Sequence, residues 1–207
     1  MRHYIDFQTW KRTESFQFFS AYELPRFNMT FDVDVTLLVR RVKAEQTSFY
    51  LSFMHLVIVS MNKIENFQYR IDEQGVFLEP IEFVSFTDKR EGDLFKMVFC
   101  PFHNDRSSFI QEAKEKSLLQ GDTFFVPNSV ATLNTVYVTS FPWRKFNHFS
   151  HATLLGSKDS VPRVSWSRYE EKDGRFLLTL SIEVHHGLVD GVHVAKLLDE
   201  IEHRINA

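Results

Sequence analysis

The stretch His185-His186-Gly187-Leu188-Val189-Asp190-Gly191-Val192-His193 decides how the chain is read. It closes an apolar alternating run and opens an amphipathic pattern from Gly191 to Ile205, whose stripe is Val194, Leu197, Leu198, Ile201 and Ile205. Strand, short turn and helix is the order this implies. In the strand, Phe176, Leu178, Leu180, Ile182 and Val184 share one face; Leu177, Thr179, Ser181 and Glu183 share the other. Continued through the turn, the alternation places His186 on the more apolar face and His185 on the other. His186 is therefore expected to be the sequestered imidazole.

Three chemistries compete for this string. His186 could act as a general base, since a neutral imidazole with a reference pKa of about 6.5 can take a proton from a hydroxyl. Asp190 could orient that ring or hold the turn through another partner. His185, His186, Asp190 and His193 could instead gather a metal, although their spacing lacks the precedent of an HExxH pair. In the plainest reading, Asp190 caps a helix and the histidines are satisfied core or surface groups.

Upstream, helices and strands are mixed. Glu14 to Tyr22 reads as a short helix, Asn28 to Asp34 as a strand and Thr36 to Lys43 as a helix. Thr47 to Ile64 is the longest helical pattern, with Phe49, Phe53, Leu56, Val57, Met61 and Ile64 three or four apart. Strand-like runs follow at Val76 to Glu79, Ile81 to Phe86 and Leu94 to Cys100. Asp105 to Gln120 reads as a helix with Asp105 as N-cap and Gly121 as its stop. Thr132 to Thr139, Val161 to Tyr169 and Arg175 to Val184 read as strands, the last two joined at Lys172-Asp173-Gly174.

Bulk properties narrow the function. The 207 residues fit one domain, 1–207, with a substantial core. A net charge of −3 without a basic run gives no reason to expect nucleic acid. The run around Leu56-Val57-Ile58-Val59 is too short to span a bilayer, and no apolar leader follows Met1. The lone cysteine, Cys100, ends an apolar run and is expected to be buried and inert. A cytoplasmic protein is the simplest expectation. The 22 phenylalanines are unusual; most are expected in the core, and some could line an apolar ligand pocket.

The central string resembles the HHxxxDG signature of the chloramphenicol acetyltransferase family. The resemblance runs along nearly the whole chain. Trp10-Lys11-Arg12 before Glu14-Ser15-Phe16-Gln17-Phe18-Phe19 is similar to the family's N-terminal W-x-R helix start. Leu94-Phe95, Cys100-Pro101 and the Phe49-to-Ile64 helix match in position. Thr139-Ser140-Phe141-Pro142-Trp143 is similar to the S-x-x-P-W segment, and Pro162 to Tyr169 to the strand before the final hairpin. The short signature is shared with 2-oxo acid dehydrogenase acyltransferase cores and condensation domains; length and the other motifs favour the acetyltransferases.

The resemblance implies an α/β two-layer sandwich, a mixed β-sheet with packed helices, assembled as a homotrimer with sites between subunits. It implies acetyl transfer from acetyl-CoA to a chloramphenicol hydroxyl, with no metal. His186 is then the base, its ring fixed by a bond to its own backbone carbonyl. Asp190 braces the site by pairing with Arg12. Thr139 stands where a serine donates to the oxyanion. Ser165, where the family has a threonine, falls with Trp143 and Tyr169 on the coenzyme side. Phe95 and Phe149 suit an aromatic acceptor pocket. Phe19 replaces a tyrosine, Arg26 a small residue and His151 an aliphatic one, changes that suit a more polar acceptor.

Overall fold

The computed structural model describes residues 2–126, 132–153, 155–156 and 158–207. In chain order the elements are β1 (His3–Tyr4), α1 (Thr13–Ser20), β2 (Arg26–Asp34), α2 (Thr36–Ala44), α3 (Phe49–Met61), β3 (Tyr69–Ile71), β4 (Val76–Leu78) and β5 (Phe83–Lys89). Then come β6 (Phe95–Pro101), α4 (Arg106–Gln120), β7 (Thr135–Phe141), β8 (Arg163–Ser167), β9 (Glu170–Lys172), β10 (Arg175–His185) and α5 (Gly191–Asn206). The principal sheet runs β2-β10-β8-β7-β5-β6, with β9 also paired to β10. It is mixed: β7 lies parallel to β8 and to β5, and the other pairs are antiparallel. A three-stranded sheet, β1-β4-β3, stands apart. Sheet with packed helices is the expected two-layer arrangement.

Helices α2, α3 and α5 cover one face. Leu178, Leu180, Ile182 and Val184 of β10 meet Val57, Ile58, Val194 and Ile201 in a single buried core. Cys100 joins it, and burial pushes its thiol up to about 12. Element ends move where the sequence lacked the deciding partner. Helix α3 starts at Phe49 because Ser48 caps it, accepting from the Leu51 N–H at 3.3 Å. The run expected from Ile81 forms its strand at Phe83–Lys89, because Ile81 N–H bonds Asn62 Oδ1 at 2.8 Å instead of a neighbouring strand. Strand β8 begins after Pro162, which has no N–H to give. Asp105 does cap α4, accepting from Ser108 N–H at 2.8 Å, and Gly121 ends it at φ 55°.

The second face of the principal sheet is polar and also covered. Phe149 O accepts from Asn28 Nδ2 at 2.9 Å and from Ser181 Oγ at 3.2 Å, and Lys145 Nζ reaches Asp32 Oδ2 at 2.8 Å. These bonds lay residues 145–153 across β2 and β10. Central strand β10 therefore has no solvent face over most of its length.

Candidate active site

Strand β10 ends at His185, and a tight turn leads into α5. His186 N–H donates to Pro25 O at 2.7 Å, which ties the turn to the start of β2. His185, not His186, is the sequestered ring: it is 1% exposed, whereas the His186 side chain is 34% exposed. Alternation places a polar face towards water only where that face is open, and here it is not. With both faces covered, the polar face carries His185 inward. His185 Nδ1 accepts from Gly187 N–H at 3.1 Å, and its ring stacks on Phe16. A Cβ on Gly187 would lie 2.9 Å from His185 Cε1 and 3.1 Å from Phe16 Cδ2, so the close turn requires glycine.

His186 lies against an aromatic wall. The Phe19 ring stacks on it at 3.7 Å, 11° from parallel, and Phe27 sits at 4.5 Å. Its Nδ1 is buried without a hydrogen bond, 3.4 Å from Asp190 Oδ1. The expected bond from the ring to its own carbonyl is not made. That carbonyl instead accepts from Arg12 Nη2 at 3.2 Å.

Arg12 organises the turn. Nη1 meets Asp190 Oδ2 at 2.5 Å, Nη2 meets Asp190 Oδ1 at 3.0 Å, and Nε donates to Gly187 O at 3.1 Å. A planar guanidinium, with five N–H donors in a fixed fork, can hold both carboxylate oxygens and two carbonyls at once; the three donors of an ammonium cannot serve all four. The Arg12 hydrogen bond holds the Asp190 carboxyl below the usual carboxylate range, against the opposing effect of burial. His193 Nδ1 accepts the Asp190 N–H at 2.9 Å, closing the start of α5; burial, with Arg12 adding to it, lowers this imidazole's pKa. Phe19, Arg12, His186 and Asp190 thus form one cluster. Among the described residues, no three of His185, His186, Asp190 and His193 converge as a metal-holding group.

The remaining site residues lie elsewhere. Thr139 on β7 pairs with Ser165 on β8, which pairs with Ser181 on β10. His186 is five residues past Ser181 and two strands from Thr139. At about 3.3 Å per residue and about 4.8 Å between strands, their backbones stand roughly 19 Å apart. One chain cannot bring both side chains to one reacting carbonyl.

Phe95 and Trp143 share a cavity of about 680 Å³ with Tyr50, Leu94, Ser140 and Pro142. Phe149 and His151 are not in it. They lie on the polar sheet face, where His151 Nε2 meets Ser165 Oγ at 2.9 Å. Ser165 is therefore joined to His151 and not to Trp143, and Phe95 is separated from Phe149. Tyr169 packs on Phe49 and Phe176, away from that cavity.

Two features escaped sequence reasoning. Glu183 sits between Arg26 and Arg163 with His151 beside it. Its place on a face with Ser181 and Thr179 was visible, but its partners come from β2 and β8. Arg70 is fully buried and donates to the carbonyls of Phe67, Tyr69, Leu133 and Thr135. Burial pushes it down to about 9. No local pattern marks it.

A family model described as chloramphenicol acetyltransferase matches residues 2–202. Chloramphenicol acetyltransferase 3 of Escherichia coli is 24% identical over 206 residues, covering 98% of this chain and 96% of its own. The Campylobacter coli chloramphenicol acetyltransferase is 27% identical over 208 residues, covering 98% and 97%. A solved chloramphenicol acetyltransferase superposes with a TM-score of 0.88 at 27% identity, over 99% of this chain and 100% of that one. A dihydrolipoamide acetyltransferase of Azotobacter vinelandii shares the fold, with a TM-score of 0.70 at 13% identity over 93% and 85%. With the Arg12–Asp190 brace and the histidine turn in place on this fold, the chain belongs to the chloramphenicol acetyltransferase family.

Proposed function

We propose that this protein transfers an acetyl group from acetyl-CoA to a hydroxyl of chloramphenicol, inactivating the antibiotic. One observation carries the reading. Arg12 holds Asp190 and the carbonyls of His186 and Gly187 together, beside a partly exposed imidazole on an aromatic wall.

His186 Nε2 takes the proton from the acceptor hydroxyl as its oxygen attacks the thioester carbonyl. That requires the proton to reside on Nδ1, and the ionised Asp190 Oδ1 at 3.4 Å favours it there. The same carboxylate stabilises the imidazolium that forms. Asp190 is thus a brace and an electrostatic partner, not a proton relay. Thr139 Oγ1 donates to the oxyanion of the tetrahedral intermediate. When the C–S bond breaks, His186 returns the proton to the leaving thiolate. General-base assistance contributes about 10²–10⁴-fold in rate.

The roughly 19 Å between Thr139 and His186 in one chain supports a site completed by a second copy, in a homotrimer. His186, Arg12, Asp190 and Phe19 come from one subunit; Thr139, Trp143 and the Ser165 face come from its neighbour. A cytoplasmic location, expected from the lone cysteine, fits use of acetyl-CoA. A second reading, acetylation of another hydroxyl compound, is favoured by Phe19, which offers His186 a ring face and no hydroxyl.

The test is free-thiol release from acetyl-CoA with pure protein. Release that requires chloramphenicol and falls about 10²–10⁴-fold in His186→Ala is expected. Release only with other alcohols selects the second reading. Tight chloramphenicol binding without release would mean a binding protein, and would overturn both.

A further inference from the structure

Helices α2, α3, α4 and α5 meet around a cavity of about 220 Å³ on the helical side of the core. Leu38, Leu56 and Val59 give it an apolar floor. Three guanidinium groups stand round it, Arg41 of α2, Arg106 of α4 and Arg204 of α5, and no aspartate or glutamate is among its described lining residues. Two of these charges have partners outside the cavity. Arg106 Nη2 meets Glu45 Oε2 at 2.5 Å, and Arg204 Nη2 meets Glu200 Oε1 at 2.6 Å. Among the described residues Arg41 pairs with no carboxylate; its Nη2 donates to Ile205 O at 3.3 Å. One positive charge is therefore left over beside a floor that screens it poorly. His55 also lines the cavity, but its Nε2 donates to Asn104 O at 2.9 Å.

Two polar atoms at this wall have no partner. Ser52 is 1% exposed, and both Ser52 Oγ and Arg204 Nε are buried without a hydrogen bond. A buried helical serine can return its hydroxyl to the carbonyl four residues back, as Ser60 does to Leu56 O at 2.8 Å on the same helix. Ser52 does not, and a turn about χ1 carries its hydroxyl to the cavity. An unbonded hydroxyl, an unbonded N–H and a surplus cation together call for an acceptor with negative charge. The space is that of roughly seven waters at ~30 Å³ each, enough for one oxyanion and some water. Guanidinium groups arriving from three helices match the several oxygens of a tetrahedral phosphate; a planar carboxylate has only two.

We propose that this cavity is an anion site, separate from the acetyl-transfer centre, that binds a phosphate group through Arg41 and Arg204, with Ser52 as a hydroxyl donor and Arg106 adding charge. At about 1.5 Å per residue along α5, Arg204 stands roughly 21 Å from Asp190. The site therefore touches neither His186 nor its brace. A bound phosphate ties α2 to α5 across the cavity and stabilises the folded chain by mass action.

The test titrates inorganic phosphate, and separately glycerol phosphate, into the whole protein by calorimetry at constant ionic strength near neutral pH. Inorganic phosphate should bind with a Kd of about 1 mM or tighter. Equal affinity for the two identifies free phosphate as sufficient; tenfold or more tighter binding of the ester, about 1.4 kcal/mol, identifies a phosphorylated small molecule. Arg41→Gln and Arg204→Gln should each weaken binding about tenfold or more. Ser52→Ala should weaken it about threefold while leaving urea unfolding without phosphate unchanged or more favourable to the fold, because the lost hydroxyl had no partner. Acetyl-CoA at saturation should not displace phosphate, and all three variants should keep any transfer rate within about twofold, since distant sites act independently. No phosphate binding by about 10 mM, equal binding of chloride, unchanged affinity in all three variants or displacement by acetyl-CoA would each overturn the proposal.

Discussion

Two regions at one end of β10 are built from the same three chemistries and do opposite things. At the turn, one guanidinium, Arg12, holds one carboxylate, Asp190, and His186 beside them is 34% exposed with Nδ1 unbonded. On the polar face, Arg26 and Arg163 share Glu183, and both nitrogens of His151 are bonded. Glu183 is only 7% exposed; Asp190 is 36% exposed. An acid, a base and an imidazole do not by themselves make a reactive centre. Full pairing, with Asp159 also bound to both arginines, and deep burial turn the second set into a structural clamp. A single brace with a wet ring leaves the first set able to accept a proton.

The two regions should differ most in stability. Glu183→Ala strands Arg26 and Arg163 in a buried place and should cost about 3–5 kcal/mol in urea unfolding. Arg12→Ala should cost less, because Asp190 regains water, while lowering the transfer rate more than Glu183→Gln does. Equal losses in stability would erase the distinction between clamp and brace. Next comes rate: Thr139→Val should lower transfer about 10²–10³-fold and Thr139→Ser should retain most of it, since only the hydroxyl donates. A silent Thr139→Val would remove it from the chemistry. The smallest effect is in pH. Glu183 and Asp190 are both held below the ordinary carboxylate range in the folded protein. Their contribution is therefore present above about pH 4 and is lost as pH falls through the folded values. Acid unfolding of Glu183→Gln should show a shallower slope below that pH than the parent; an identical slope would contradict the clamp.

Much of this was legible in the residues. The helix cap at Asp105 and the stop at Gly121 depend on neighbours within a few positions, and so does the turn at Asp173-Gly174, which takes positive φ at both residues. Arg12 and Asp190 are 178 positions apart, yet each stands in a local motif, and their pairing followed from the family resemblance. The deeper burial of His185 than of His186 did not follow, because alternation cannot tell that residues 145–153 cover the second face. Strand β9, with the charged run Glu170–Lys172, and strand β3, only three residues long, carry no periodic signal and exist because β10 and β4 pair with them. The Arg26–Glu183–Arg163 cluster needs three strands in register before any of its members looks unusual.

In the proposed site, His186 of one subunit and Thr139 of another serve one carbonyl. Co-expression of His186→Ala with Thr139→Val tests it most directly, because mixed assemblies then contain some sites with both groups intact. Random mixing in a closed ring should restore about a quarter of the parent activity, far above either variant alone. Activity no greater than the average of the two variants, in assemblies shown to be mixed, would contradict the account.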